Sequence, residues 1–258
     1  MFKHLKVTII VIFALVVSSC ITTTKGHVKP KVNKQKAHDT HIQLGLAYLQ
    51  RDNREGSRRH FEKALSFDKK SPPAYNGIAL LHQLTGEDEL AEQSFKKSLE
   101  LDNLFTDARV NYGRFLYEKK RYEEARDKFE QASEDLSYPK RPLVLAYIGQ
   151  AALELNNPVR AKSAFEHALN LDNKLSLAMI ELGELYFADK EYAKSKQYLD
   201  RYIKLSGRTS KSLWLGIRIE RIFGNRDKEA SYALALKNLH PYSKEYLLYK
   251  KNAASSGR

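Results

Sequence analysis

Cysteine is almost absent from this chain: one residue, Cys20, in 258. A lone thiol excludes a disulfide framework whatever the redox compartment. Long apolar runs are missing as well. The longest, Val7 to Val17 (VTIIVIFALVV), has eleven residues, against the 20 or so that a helix needs to cross a bilayer. No Gly-rich phosphate loop, zinc-protease helix motif or nucleophile elbow occurs, so no enzyme and no cofactor is expected. The eight histidines are dispersed. His38 and His41 (HDTH) stand three apart and would share a helix face, but no carboxylate or thiol completes a metal set around them. They are read as the end of a tether and the start of a helix, with Asp39 or Thr40 near the cap.

What is present around Cys20 has an order. Lys3 and Lys6 precede the apolar run and Ser18 and Ser19 follow it, the charged, apolar and small-residue sections of a secretory leader. A redox thiol, a buried core residue and an attachment point compete as readings of Cys20. Val17-Ser18-Ser19-Cys20 resembles the bacterial lipobox, which implies a leader over residues 1–19 and lipidation at Cys20. More than one acyl chain holds a protein stably on its membrane. Ile21, where an aspartate would favour inner-membrane retention, implies the outer membrane, with the chain facing the periplasm.

Without Met1–Ser19 the chain keeps 42 basic and 31 acidic residues. A surplus of this kind often marks nucleic-acid binding, but a secreted, tethered chain meets none. Lipid head groups, cell-wall polymers or an acidic protein face are the sensible anionic partners, and no small-molecule substrate is implied. Most of the charge is scattered among acids at helical spacing, as a solvated face. Residues 22–40 carry five lysines, with valine as the only large aliphatic. They read as a spacer that cannot bury enough surface to order itself, so residues 20–40 form the tether. Residues 251–258 read as a disordered tail.

Between them the chain repeats itself. FEKAL at 61, FKKSL at 95, FEQAS at 129 and FEHAL at 165 are spaced by 34, 34 and 36 residues. Each phenylalanine has a small residue four before it (Ser57, Ala91, Ala125, Ala161) and three after it (Ala64, Ser98, Ala132, Ala168), one stripe on a helix. Upstream lies a partner helix with Gly45, Ala79, Gly113, Gly149 and Gly183 in register. This is the tetratricopeptide period of helix–turn–helix units. The customary tryptophan of the first helix is replaced by His41, Tyr75, Arg109, Leu145 and Met179, and repeat five has Leu199 and Tyr202 in place of phenylalanine and a small residue. Pro72, Pro73, Pro142 and Pro241 fall at helix ends and Pro158 in an intra-repeat turn. The expectation is an all-α, right-handed solenoid of about six repeats over residues 41–250. Its stability comes from stacking.

Three stretches, NYGRFLYEKKRYEEARDKFEQA (111–132), LSYPKRPLVLAYIGQAAL (136–153) and SLWLGIRIERIFGNRDKEASYALALKNLHP (212–241), closely resemble the type IV pilus biogenesis and stability lipoproteins, the six-repeat pilotins. HIQLGLAYLQ (41–50) fits their first repeat. The resemblance implies a lipoprotein that binds the type IV pilus secretin, a protein partner, and promotes its outer-membrane localisation and multimerisation. Alternatives are a scaffold for outer-membrane protein assembly and an adaptor for a cell-wall enzyme.

Tetratricopeptide repeats bind on the inner face, through the second, fifth, ninth, twelfth and thirteenth residues of each first helix. Counted from His38, Pro72 and Thr106, these are Asp39, Ile42, Leu46, Leu49 and Gln50; Pro73, Asn76, Leu80, Gln83 and Leu84; and Asp107, Val110, Arg114, Tyr117 and Glu118. The first two sets are apolar on a face that a solenoid leaves open. Ile42, Leu46, Leu49, Asn76, Leu80 and Leu84 are therefore the candidate partner-binding residues, unless the tether or a terminal helix covers them. The two extra residues before repeat four, within DLSYPKRP (135–142), form either an exposed contact loop or a tolerant connector.

Overall fold

The computed structural model describes residues 33–255. The leader, Cys20, Ile21, the first part of the tether and residues 256–258 lie outside the described residues. Those described form thirteen α-helices and no strand. Repeat one pairs α1 (Lys34–Gln50) with α2 (Arg54–Phe67), and repeat two α3 (Pro72–Thr85) with α4 (Asp88–Leu101). Repeat three pairs α5 (Thr106–Glu118) with α6 (Tyr122–Ser133), and repeat four α7 (Arg141–Glu154) with α8 (Pro158–Leu171). Repeat five pairs α9 (Ser176–Ala188) with α10 (Tyr192–Ser206), and repeat six α11 (Ser210–Ile222) with α12 (Arg226–Leu239). A last helix, α13 (Lys244–Ser255), packs on α11 and α12.

Two expected boundaries move. Residues 34–40 are helix, not tether, because the Asn33 side chain accepts from the Lys36 amide at 3.0 Å and starts α1 there. Asp39 and Thr40 lie inside the helix, away from its cap. At the other end, α13 continues to Ser255, since Tyr246 and Tyr249 dock on the cluster of Leu213, Trp214, Ile217 and Leu236. Residues 251–255 of the expected tail are helical.

The period has a physical cause at each turn. Asp52, Gly86, Lys120, Asn156, Lys190 and Gly224 all have φ between 53° and 78°, with spacings of 34, 34, 36, 34 and 34. Each ends the first helix of its repeat with the same pair of amide bonds, such as Lys120 N to Tyr117 O and Arg121 N to Leu116 O, both 2.9 Å. This left-handed stop satisfies the helix's last carbonyls. Between repeats, Asp68, Asp102, Asp135 and Asp172 each accept from the amide two residues on, folding the connection as an Asx turn.

Stacking is set by the Phe–small stripe. Phe61, Phe95, Phe129 and Phe165 are buried, as are their small partners. The Phe61 ring lies between Gly45 and Gly77, so close that a Cβ added there would stand 2.5 and 2.3 Å from it. Gly113 and Gly149 make the same room for Phe129 and Phe165. In repeat five Leu199 takes the phenylalanine's place and stays buried with Tyr202. One apolar core runs from Ala79 to Ile219, with a smaller cluster between repeats one and two.

Candidate functional site

The first helices of repeats one to four turn one side inward and line an open groove of about 920 Å³. All six candidate binding residues, Ile42, Leu46, Leu49, Asn76, Leu80 and Leu84, meet there. Their accessibility differs. Ile42 and Asn76 are buried in its floor, Leu46 and Leu80 also pack on the core clusters, and Leu84 is 41% exposed. Proline rings at N1 and N2 of α3 place Pro73 at the groove's edge without losing a helical hydrogen bond.

The polar floor is internally satisfied. Asn111 Nδ2 donates to Asn76 Oδ1 at 3.1 Å, and Gln83 Nε2 to Glu118 Oε2 at 2.6 Å, each bond joining neighbouring repeats. Asp107 accepts from the Tyr138 hydroxyl at 2.8 Å. Burial first, then that carboxylate, holds the Tyr138 phenol above its ordinary value, so it stays a donor. Arg114 and Lys140, both exposed, have no hydrogen bond or ion pair through their side chains among the described residues. The groove thus presents aliphatic surface at the repeat-one end and two free cations further along.

The lining also includes Phe105, Tyr138, Lys140, Leu143, Val144 and Tyr147, none of which is among the candidates. Leu143 was recoverable by carrying the position count into repeat four. Tyr138 and Lys140 were not, because they stand in the longer connection. That connection is built into the site: Asp135 accepts from Thr106 Oγ1 at 2.7 Å and Tyr138 reaches Asp107. Arg141, paired with Lys140 in the sequence, instead donates from Nε to the Ser133 carbonyl at 2.8 Å and is structural. Tyr117, expected on the inner face, leaves the groove for a narrow cleft between α5 and α7 with Phe129 and Gln150. Its phenol is pushed up to about 12 by burial and then by Glu154.

The terminal helix does not cover the groove, since α13 packs at the far end of the solenoid; the tether up to residue 32, the other expected cover, lies outside the described residues. His38 and His41 do not converge. His38 is buried between Ser71 and Asp39, whereas His41 Nδ1 faces His60 Nδ1 at 2.8 Å. No cluster of three His, Cys, Asp or Glu suited to a metal occurs among the described residues, and none of their helices is long and apolar enough to cross a membrane.

The tetratricopeptide-repeat family pattern matches residues 38–71, 72–103, 89–137 and 148–208. The type IV pilus assembly protein PilF of Pseudomonas aeruginosa is 36% identical over 242 residues, 93% of this chain and 96% of that protein. The chain belongs to the PilF family. A solved structure of Pseudomonas aeruginosa PilF superposes with a TM-score of 0.81 at 38% identity, covering 86% of this chain and all of that one. That of PilW, a widely conserved type IV pilus biogenesis factor, gives 0.72 at 22% identity over 83% of this chain and 98% of its own, a likeness of fold.

The LWLGIRI stretch, within the 212–241 resemblance, is explained by packing. Leu213, Leu215 and Ile217 are buried, and Gly216 makes room for the Tyr232 ring. Arg218 is gripped by both Glu184 oxygens at 2.6 Å and lies over the rings of Phe187 and Trp214.

Proposed function

We propose that the chain is a lipid-anchored pilotin that binds the type IV pilus secretin in the groove of repeats one to four. Anchored through Cys20 to the outer membrane and facing the periplasm, it promotes the secretin's localisation and multimerisation. Membership of the PilF family supports a part in type IV pilus biogenesis with the solenoid as scaffold. The observation that carries the reading is the open groove, apolar at Leu49 and Leu84 and cationic at Arg114 and Lys140. An amphipathic segment with aliphatic anchors and an acidic residue fits it. The chain acts by binding and holds no cofactor.

The test is capture of detergent-solubilised secretin by the purified protein, together with secretin multimers counted in cells that carry Cys20→Ser. Wild-type capture with multimers lost in the Cys20→Ser strain is the expected result. Failure to retain secretin, or normal multimers without lipidation, overturns the reading.

A further inference from the structure

Among the described residues no repeat precedes repeat one, so one of its sides lacks the cover that repeats three to six have, while the matching Tyr75, Ile78 and His82 of repeat two are half-buried. His41, Leu44 and Tyr48 correspond to Leu145, Ile148 and Ala152 in repeat four and to Met179, Leu182 and Tyr186 in repeat five. All six of those are buried. In repeat one Leu44 is 38% exposed and its two neighbours are half-buried. End repeats ordinarily turn a polar face outward. This one keeps Leu44, with His41 stacked on Phe67 at 5.8 Å and Tyr48 on His60 at 5.1 Å.

Cations frame that apolar strip. Along α1 the residues Lys34, Ala37, His41, Leu44 and Tyr48 follow each other at alternating three- and four-residue steps, one face of the helix, and the capping residue Arg51 comes next in that series. A lysine stands at one end and an arginine at the other. Lys36 and His41 share a shallow hollow, and Lys63 lies 5.4 Å over the Phe67 ring. Lys34, Lys36, Arg51 and Lys63 are exposed and have no ion pair among the described residues. Residues 33–71 hold nine basic and five acidic side chains, against two and six in residues 72–105. Of the acids in repeat one, Asp52 and Glu55 already face Arg54 and Arg59, and Asp39 faces His38.

From this we infer that the open end of repeat one docks on a bilayer surface rich in anionic lipid. The cations meet the head groups, while Leu44, Tyr48 and Phe67 enter the interface. Clusters of about four to eight Lys or Arg beside a membrane anchor recognise such surfaces, and aromatic rings favour that depth. Charge argues against the other occupants. Residues 21–32 carry Lys25, Lys29 and Lys31 and no acid, and a second copy would bring the same positive face. The inference rests on the anchor at Cys20 proposed above. Twelve residues lie between Cys20 and Asn33, a span that reaches at most about 45 Å fully extended, so this end is the one held near the membrane.

The test uses the processed, lipidated protein with Thr40→Cys in the hollow, labelled with a fluorophore. It is reconstituted into vesicles of phosphatidylcholine alone or of phosphatidylcholine and phosphatidylglycerol, with a nitroxide quencher in the head groups. Several-fold stronger quenching on the anionic vesicles is expected, reversed by salt. It should be lost in Lys34→Glu/Lys36→Glu/Lys63→Glu, which still floats with the vesicles and keeps wild-type helicity. Equal quenching on both vesicle types overturns the inference, as does undiminished quenching in the triple variant. A label already shielded from aqueous iodide before vesicles are added also overturns it, because the chain itself then covers the face. Protein that does not float with neutral vesicles refutes the Cys20 anchor instead, and binding of that free protein to anionic vesicles still decides the surface.

Discussion

The groove makes its sharpest prediction at Leu49 and Leu84. Leu46 and Leu80 are poor probes, because each also packs on a core cluster and a polar residue there would loosen the fold. Aspartate is a poor substitute as well. Leu49 and Leu84 lie in the last turns of α1 and α3, where a negative charge opposes the helix dipole by about 0.3–1 kcal/mol. Leu49→Gln with Leu84→Gln keeps helix propensity and adds no charge. Full burial of a leucine contributes about 1.5–3 kcal/mol. Leu84 is 41% exposed, so a partner covering it recovers roughly 0.6–1.2 kcal/mol, and the half-buried Leu49 somewhat less. Each amide left without a partner under the bound segment costs about 1–3 kcal/mol more. Together these exceed about 3 kcal/mol, so the affinity for solubilised secretin should fall about 100-fold or more. Thermal unfolding and helicity should stay close to wild type. A double variant that unfolds normally and binds secretin within a factor of about three of wild type would refute the groove as the site.

Three further predictions concern stability. The Arg121 guanidinium, then Lys96 and Tyr112, hold the Glu92 carboxyl at about 2 against partial burial. Its stabilisation is complete above 4.5, the ordinary value, and fades as pH falls toward 2. Glu92→Gln should cost about 1–3 kcal/mol at neutral pH and flatten acid unfolding in that window, as denaturant titration would show. Partial burial, then the charges of His60 and Lys63, lowers His41 below its ordinary 6.5. The His41–His60 contact is therefore intact above 6.5 and weakens as pH falls below it; amide exchange in α1 should quicken at mildly acid pH, and His41→Phe should remove that dependence. Lys120 pays for a left-handed φ of 60°, so Lys120→Gly should stabilise by about 0.5–1 kcal/mol in thermal melts; a loss would place the strain elsewhere.

The stacking of repeats was legible because one packing solution recurs. A ring between two small residues leaves the same trace at Phe61, Phe95, Phe129 and Phe165, and the glycines facing Phe61, Phe129 and Phe165 repeat with it. The turns were less legible. Gly86 and Gly224 announce a left-handed residue, whereas Asp52, Lys120, Asn156 and Lys190 do not. The paired amide bonds hold these four in place, so side-chain chemistry there is free to vary. The start of α1 was misplaced for a related reason. Lys34 to Ala37 have no apolar stripe, and their lysines imitate a spacer, while Asn33 caps a helix whose inner residues pay for its exposed first turn. In the groove, position counting found the leucines because they sit on regular helices. It missed Tyr138 and Lys140, whose place follows from hydrogen bonds to repeat three that only the folded connection makes.

The inner face also favours the repeat-one to repeat-four end for the proposed binding. In repeats five and six its charges are already engaged: Glu184 with Arg218, and Glu181 with Lys211 at 2.7 Å. Arg218 is further held against Phe187 and Trp214. A partner arriving there would have to break hydrogen-bonded ion pairs before making its own, and breaking one leaves a partly desolvated charge unmatched. In repeats one to four the anions Asp107 and Glu118 are satisfied by neutral donors, Tyr138 and Gln83, while the cations Arg114 and Lys140 are left open. That arrangement keeps the groove's shape fixed without using up its positive charge. An acidic group on the partner gains a full ion pair at no internal loss, and a basic one meets repulsion. The same asymmetry makes Arg114→Glu a discriminating change: it leaves the aliphatic anchors and Lys140 in place yet should cancel the groove's preference for acidic over neutral segments, read as converging affinities in peptide titrations.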